Sequence, residues 1–110
     1  MSNVEVVVAA FEAYRSQDRA TAEPLYAEDF TFTSPQDDHI DRGAFFDRCF
    51  PTAGRMAWQR TVELVEGEHG VVVLYEYELT SGERYRNAEY IRVRDGQLVA
   101  TQVFFGGRVG

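Results

Sequence analysis

Cysteine is almost missing from this chain: Cys49 stands alone, so no internal disulfide can form and nothing requires an oxidising compartment. No run approaches 18 apolar residues, and no charged segment precedes an apolar stretch at the N-terminus. Together these absences give the expectation of a cytoplasmic protein with no membrane partner. Basic residues are the minority, 11 against 18 acidic, for a net charge of −7, which argues against nucleic acid and anionic surfaces as partners. Internal repeats, linkers and low-complexity tracts are also lacking, so the 110 residues read as a single domain, 1–110. What is present is a large apolar and aromatic fraction, 45% and 14% of residues, enough for a globular core.

The richest stretch is Tyr85 to Gly107. Two β-rich runs flank Asp95-Gly96, a tight hairpin signal. Alternation puts Tyr85, Asn87, Glu89, Ile91 and Val93 on one face, and Arg84, Arg86, Ala88, Tyr90, Arg92 and Arg94 on the other. On the second run Val99, Thr101, Val103 and Phe105 oppose Leu98, Ala100, Gln102 and Phe104. Glu89 thus shares a face with core residues, where a charged and unpaired carboxylate costs several kcal/mol.

Upstream, Ser2 and Glu5 form a capping box, and Val4, Val7, Val8, Phe11 and Tyr14 give an apolar stripe, predicting a helix over about 3–16. Asp18 caps a shorter second helix through Ala27, irregular at Pro24. Phe30 to Ser34 is a short strand ended by Pro35, and 36–40 is a polar loop. Asp41 caps a third helix over 42–50, stopped by Pro51. Met56 to Glu66 reads as a strand with Trp58, Arg60, Val62 and Leu64 on one face. Val71 to Leu79 reads as another, with Val71, Val73, Tyr75, Tyr77 and Leu79 opposite Glu76 and Glu78. The order ααβαββββ predicts an α+β domain whose curved sheet wraps the N-terminal helices and leaves a cavity.

The succession of an aromatic-bearing helix, then Asp18…Leu25-Tyr-Ala-Glu-Asp-Phe-Thr-Phe-Thr-Ser-Pro35, a short helix with two phenylalanines, and Asn87-Ala-Glu-Tyr…Asp95-Gly…Val103-Phe-Phe-Gly106 resembles the nuclear transport factor 2-like superfamily, specifically its SnoaL-like members. The resemblance covers nearly the whole chain. It implies a cone-shaped cystatin-like fold with three N-terminal helices on a strongly curved, mostly antiparallel sheet. The fold hosts cyclases, dehydratases, epoxide hydrolases, isomerases and non-catalytic members, so it does not by itself select a reaction. Against ketosteroid isomerase, the general-base position falls on Ser34, the helix tyrosine on Ala10 and the neutral acid on Glu89. Two of the three positions are replaced, which argues against steroid isomerisation.

Glu89 is either a pocket acid raised by burial or a glutamate paired with a neighbouring arginine such as Arg60. Asp38 beside His39 offers a base oriented by a carboxylate, on a loop that the resemblance places at the cavity mouth; the bland alternative is a solvated loop with Asp41 as a helix cap. A metal at Asp37, Asp38, His39 and Asp41 would need ligands from elsewhere, so none is expected, and no cofactor is implied. Cys49 is an apolar filler, and the stripe of Arg84, Arg86, Arg92 and Arg94 is expected to pair across strands with Glu76 and Glu78.

The expected ligand is a small apolar molecule. Acid–base chemistry of isomerase, lyase or cyclase type would use Glu89 with Asp38 and His39, and the ligand would meet Phe11, Tyr14, Phe32, Ser34, Phe46, Trp58, Tyr75 and Val103. The alternative is a non-catalytic binding or assembly module, its pocket occupied or filled by Trp58, Tyr75 and Phe105. Ala88, Tyr90, Ala100, Gln102 and Phe104 leave an outward strip suited to a homodimer through the outer sheet face.

Overall fold

A computed structural model describes all 110 residues. The first helix, α1, is Asn3–Ser16; the Ser2 hydroxyl accepts from the Glu5 backbone and the Glu5 carboxylate from that of Ser2, so the capping box forms. Its buried face is set by Val6, Val7, Ala10 and Ala13, not by the larger stripe alone. The two alanines let the helix seat closely, and Phe11 and Tyr14 flank that face and point to one side.

The second helix is shorter than its sequence suggests. Asp18 caps α2, Arg19–Ala22, through the Thr21 N–H, and Pro24 converts the continuation into a 3-10 turn, Glu23–Leu25. Strand β1 therefore starts at Tyr26 and runs to Thr33, four residues earlier than Phe30. The supposed polar loop contributes a two-residue strand, β2, Ile40–Asp41, before α3, Arg42–Arg48, capped by Asp41. A 3-10 segment, Phe50–Arg55, follows.

The remaining chain is a meander of long strands: β3 Met56–Glu66, β4 Gly70–Leu79, β5 Arg84–Arg94 and β6 Gln97–Arg108. The sheet order is β2-β1-β6-β5-β4-β3, with only β1 and β6 parallel. The three helices lie on one face, burying an aromatic cluster of Tyr26, Phe30, Phe32, Phe45, Phe46 and Phe50 against Val71, Val73, Ile91 and Leu98. Ring centroids of Tyr26, Phe30, Phe45 and Phe46 sit 4.8–5.2 Å apart, mostly edge to face.

Bulges decide which side chains face inward. On β3 the register advances from Thr61 opposite Tyr75 to Glu63 opposite Leu74, so Val62 is an extra residue and the alternation inverts. A second irregularity lies between Met56 and Trp58. The inward residues are thus Met56, Gln59, Thr61 and Leu64, while Trp58 sits opposite the outward Glu78, with the Arg84 guanidinium 6.0 Å from its ring centre. On β6 an irregularity at Val99 likewise turns Leu98, expected outside, into the core opposite Val93.

Outside, the arginine stripe is engaged only in part: Arg84 pairs with Glu78 at 3.1 Å, while Glu76 pairs at 3.4 Å with Arg60 of β3 rather than with Arg86 opposite it, and neither Arg86 nor Arg92 makes an ion pair. Arg94 reaches across to Asp29 through two hydrogen bonds, at 2.9 and 3.2 Å.

Candidate functional site

Between the concave sheet and the helices lies a cavity of about 580 Å³, within the range of small-molecule pockets. Its inner wall is apolar: Ala10, Phe32, Phe45, Ile91 and Leu98. One side carries a row of rings, Tyr75, Tyr77, Tyr85 and Phe105, with successive centroids 6.0, 5.4 and 5.7 Å apart. The rim is polar, with Gln36, Asp37, Arg48 and Arg55, and its exposed members open the cavity to solvent.

Glu89 stands in the middle of this wall. Its position in β5 places it between Val73 of β4 and Val103 of β6, so the hydrophobic alternation of three strands drives its side chain inward. The little surface it retains faces the cavity. Arg60, the candidate partner, lies on the outer face with Glu76, and no cation reaches Glu89. Burial therefore pushes its carboxyl up to about 7, while a hydrogen bond from Tyr75 acts in the opposite direction. That bond is short, 2.5 Å from the Tyr75 hydroxyl to Oε2. The Asn87 amide in turn donates to the Tyr75 oxygen at 3.1 Å.

Among the other hydroxyls of the cavity, those of Tyr14 and Thr52 are occupied, whereas those of Tyr26 and Tyr77 have no protein partner. Thr52 donates to the Cys49 carbonyl at 2.7 Å, so Tyr14 is the donor in its 2.6 Å contact with Thr52. Burial raises Tyr14 to about 12, and raises Tyr26 and Tyr75 beyond that, so these phenols stay neutral at ordinary pH. At the rim the mostly buried Asp37 carboxylate meets Arg48 at 3.4 Å and accepts a weak Cys49 thiol contact at 3.8 Å. Burial, followed by the charge of Asp37, pushes that thiol up to about 11, in line with an inert filler.

The residues singled out from sequence divide into two groups. Phe11, Tyr14, Phe32, Ser34, Tyr75, Glu89 and Val103 all line the cavity. Phe46, Trp58, Asp38 and His39 do not. Phe46 is buried, but behind Tyr26, Phe45 and Phe50, with Arg19 and Arg42 over its ring. Trp58 is turned outward by the β3 bulges. Asp38 and His39 do contact each other, at 2.6 Å, but their side chains are 90% and 65% exposed and point away from the cavity. The turn between Ser34 and Asp37 explains this: reciprocal backbone bonds of 2.7 and 3.2 Å curl the loop so that Asp37, not Asp38, faces inward.

Sequence reasoning also overlooked Asn87, Tyr77, Tyr85, Thr52 and Arg55 as cavity residues. For Asn87 and Tyr85 the signal was present, since both share the Glu89 face by strict alternation. No group of histidine, cysteine, aspartate and glutamate is arranged to hold a metal ion.

No curated protein matches the chain. Solved structures with the same fold do. A protein from Kribbella flavida superposes with a TM-score of 0.84 at 18% identity, covering 92% of this chain and 84% of its own. A nuclear transport factor 2-like protein of unknown function from Burkholderia xenovorans gives 0.80 at 17%, covering 96% and 84%. One from Xanthomonas campestris, of unknown function with a cystatin-like fold, gives 0.79 at 15%, covering 98% and 93%. At these identities the likeness establishes architecture alone. The family model of the SnoaL-like domain matches residues 7–101, so this chain belongs to the SnoaL-like family of the nuclear transport factor 2-like superfamily.

Proposed function

We propose that this protein is a single-domain small-molecule-binding protein whose cavity takes an apolar ligand and performs redox-neutral acid–base chemistry on it, of isomerase, lyase or cyclase type. The observation that carries this reading is Glu89: a carboxyl inside an apolar cavity, held by a phenol and no cation, with its proton affinity near neutrality. A group poised there gives up or accepts a proton at little cost at physiological pH. Phe11, Phe32 and Val103 supply apolar contact, and Tyr14, Ser34 and Tyr75 supply shape and polarity around it.

A specific observation favours a second reading, binding without turnover. Asp38 and His39 lie outside the cavity, and Asp37 is tied to Arg48 at the rim, so Glu89 has no second carboxylate or histidine beside it, only neutral phenols. The two readings separate on Glu89→Gln, which keeps shape and removes titration. If the cavity is catalytic, turnover disappears while ligand affinity survives. If it only binds, screening a panel of apolar carbonyl compounds finds binding but no proton exchange by deuterium incorporation in either form.

The partner side of this proposal is a homodimer through the outer sheet face. Leu74, Ala88 and Phe104 form one cross-strand row there, and Leu74 and Phe104 are 38% and 58% exposed. Such a strip is costly to leave in water and typical of an interface.

A further inference from the structure

The hydrogen bonds behind Glu89 have a direction that can be fixed by counting protons. A backbone N–H can only donate, and the Gly106 N–H approaches Oδ1 of Asn87 at 3.4 Å. That end of the amide is therefore oxygen, and the other end, at 3.1 Å from the Tyr75 hydroxyl, is an NH₂ that can only donate. The Tyr75 oxygen is an acceptor in that contact, so its single proton goes the other way, to Oε2 of Glu89. Oε2 of the carboxylate is thereby occupied. Oε1 accepts nothing from the protein, yet no buried side-chain polar atom is left without a partner, so Oε1 is reached from the cavity. Oε1 is thus the oxygen left open to a proton.

The start of the chain is built into the backbone. A Cβ at Gly106 would collide with the Arg86 carbonyl oxygen, so glycine is needed for β5 and β6 to approach there. The irregular pairing between Tyr85–Arg108 and Asn87–Phe105 is where this approach occurs. The Asn87 amide also bears on Tyr77, opposing the upward effect of burial on that phenol.

We propose that Gly106, Asn87 and Tyr75 form a one-way chain of donors that commits the Tyr75 proton to Oε2 of Glu89 and leaves Oε1 as the atom that meets a carbonyl-bearing apolar ligand. Asn87 and Tyr75 are positioning residues; Oε1 is the reacting atom. The inference rests on the reading of the cavity given above. In the transfer, an acidic C–H or O–H of the ligand breaks, an O–H bond forms at Oε1, and the electron pair stays on the ligand. The reverse step returns the proton, so no oxidant or reductant is involved. The groups facing Glu89 are Tyr14 from α1, Tyr26 from β1, and Tyr75 and Tyr77 from β4, with the Asp37–Arg48 pair at the rim. Val103 faces it from β6. A midpoint in the neutral range thus belongs to Glu89.

The test is a carbon NMR titration of the Glu89 carboxyl in the full chain. Tyr75→Phe removes the donor and is expected to raise the midpoint by about one pH unit. Asn87→Leu is expected to raise it as well, and the double variant to match Tyr75→Phe alone, because Asn87 reaches the carboxyl through the Tyr75 oxygen while Tyr77, a neutral phenol, makes no hydrogen bond to Glu89. An unmoved midpoint in Asn87→Leu, or additive shifts in the double variant, overturns the chain. Should Asn87→Leu fail to fold, the native protein decides: the Tyr75 hydroxyl proton must shift with the Glu89 midpoint, and its indifference overturns the assignment. Binding of a fluorescent naphthyl ketone at pH 5 tests Oε1. Native affinity at least about tenfold weaker at pH 9 supports it, because ionising Glu89 removes the Oε1 proton, and a smaller change overturns it. If the native protein binds no such ketone, the cavity reading and the Oε1 assignment fail, while the titrations still judge the donor chain.

Discussion

Glu89 should make this protein more stable in mild acid than in mild base, the reverse of most carboxylates. Its folded-state value is raised from 4.5 to about 7, so between those values the folded chain holds a proton that the unfolded chain has released. Unfolding stability then falls as pH rises through that window, with a slope approaching −1.4 kcal/mol per pH unit. Below about pH 4.5 Glu89 is neutral in both states and contributes no penalty. Above about 7 it is charged in both, and the folded state carries the whole cost of the buried charge, about 3 kcal/mol. Glu5, Asp18, Glu23 and Asp29 have lowered values, so their contributions are lost only in stronger acid. Glu89→Gln removes the titration but keeps an oxygen for the Tyr75 hydroxyl. Urea unfolding of both proteins from pH 4 to 9 should show curves that coincide at the acid end, separate between about pH 4.5 and 7, and stay apart above pH 7. There the variant should be more stable by up to about 3 kcal/mol, roughly 10 °C in melting temperature for a chain of this size. Parallel curves across the window would refute the argument, because they would mean that ionising Glu89 costs the fold nothing.

Phe46→Ala should cost about 3–5 kcal/mol in chemical unfolding, since the ring is 1% exposed, while leaving ligand affinity unchanged because Phe46 lies behind the cavity wall. Trp58→Phe and His39→Gln should each leave ligand affinity within about twofold of native by fluorescence titration, since neither side chain lines the cavity. Gly106→Ala should destabilise by roughly 1–3 kcal/mol in urea, as the added methyl forces β5 and β6 apart at Arg86. Light scattering should give twice the 12.5 kDa chain mass at micromolar concentration, and Phe104→Lys should return it to the single-chain mass.

Local chemistry was legible in the residues themselves. The capping box at Ser2 and Glu5, the cap at Asp41, the Asp95-Gly96 turn and the alternation of β4 and β5 each depend on neighbours within a few positions, and each element forms where its spacing puts it. That alternation alone was enough to set Glu89 on the cavity face, because no bulge interrupts β5 between Asn87 and Ile91. Tertiary structure decided the rest. An extra residue at Val62 serves the sheet's curvature, and its only sequence trace is an exposed valine; yet it inverts β3 and sends Trp58 outward. The Ser34–Asp37 turn depends on backbone bonds between loop residues, so adjacent aspartates with equal chemistry part company, Asp37 facing in and Asp38 facing solvent. That no cation offsets the burial that raises the proton affinity of Glu89 follows from which face Arg60 occupies, and strand pairing across 16 residues of chain put it beside Glu76.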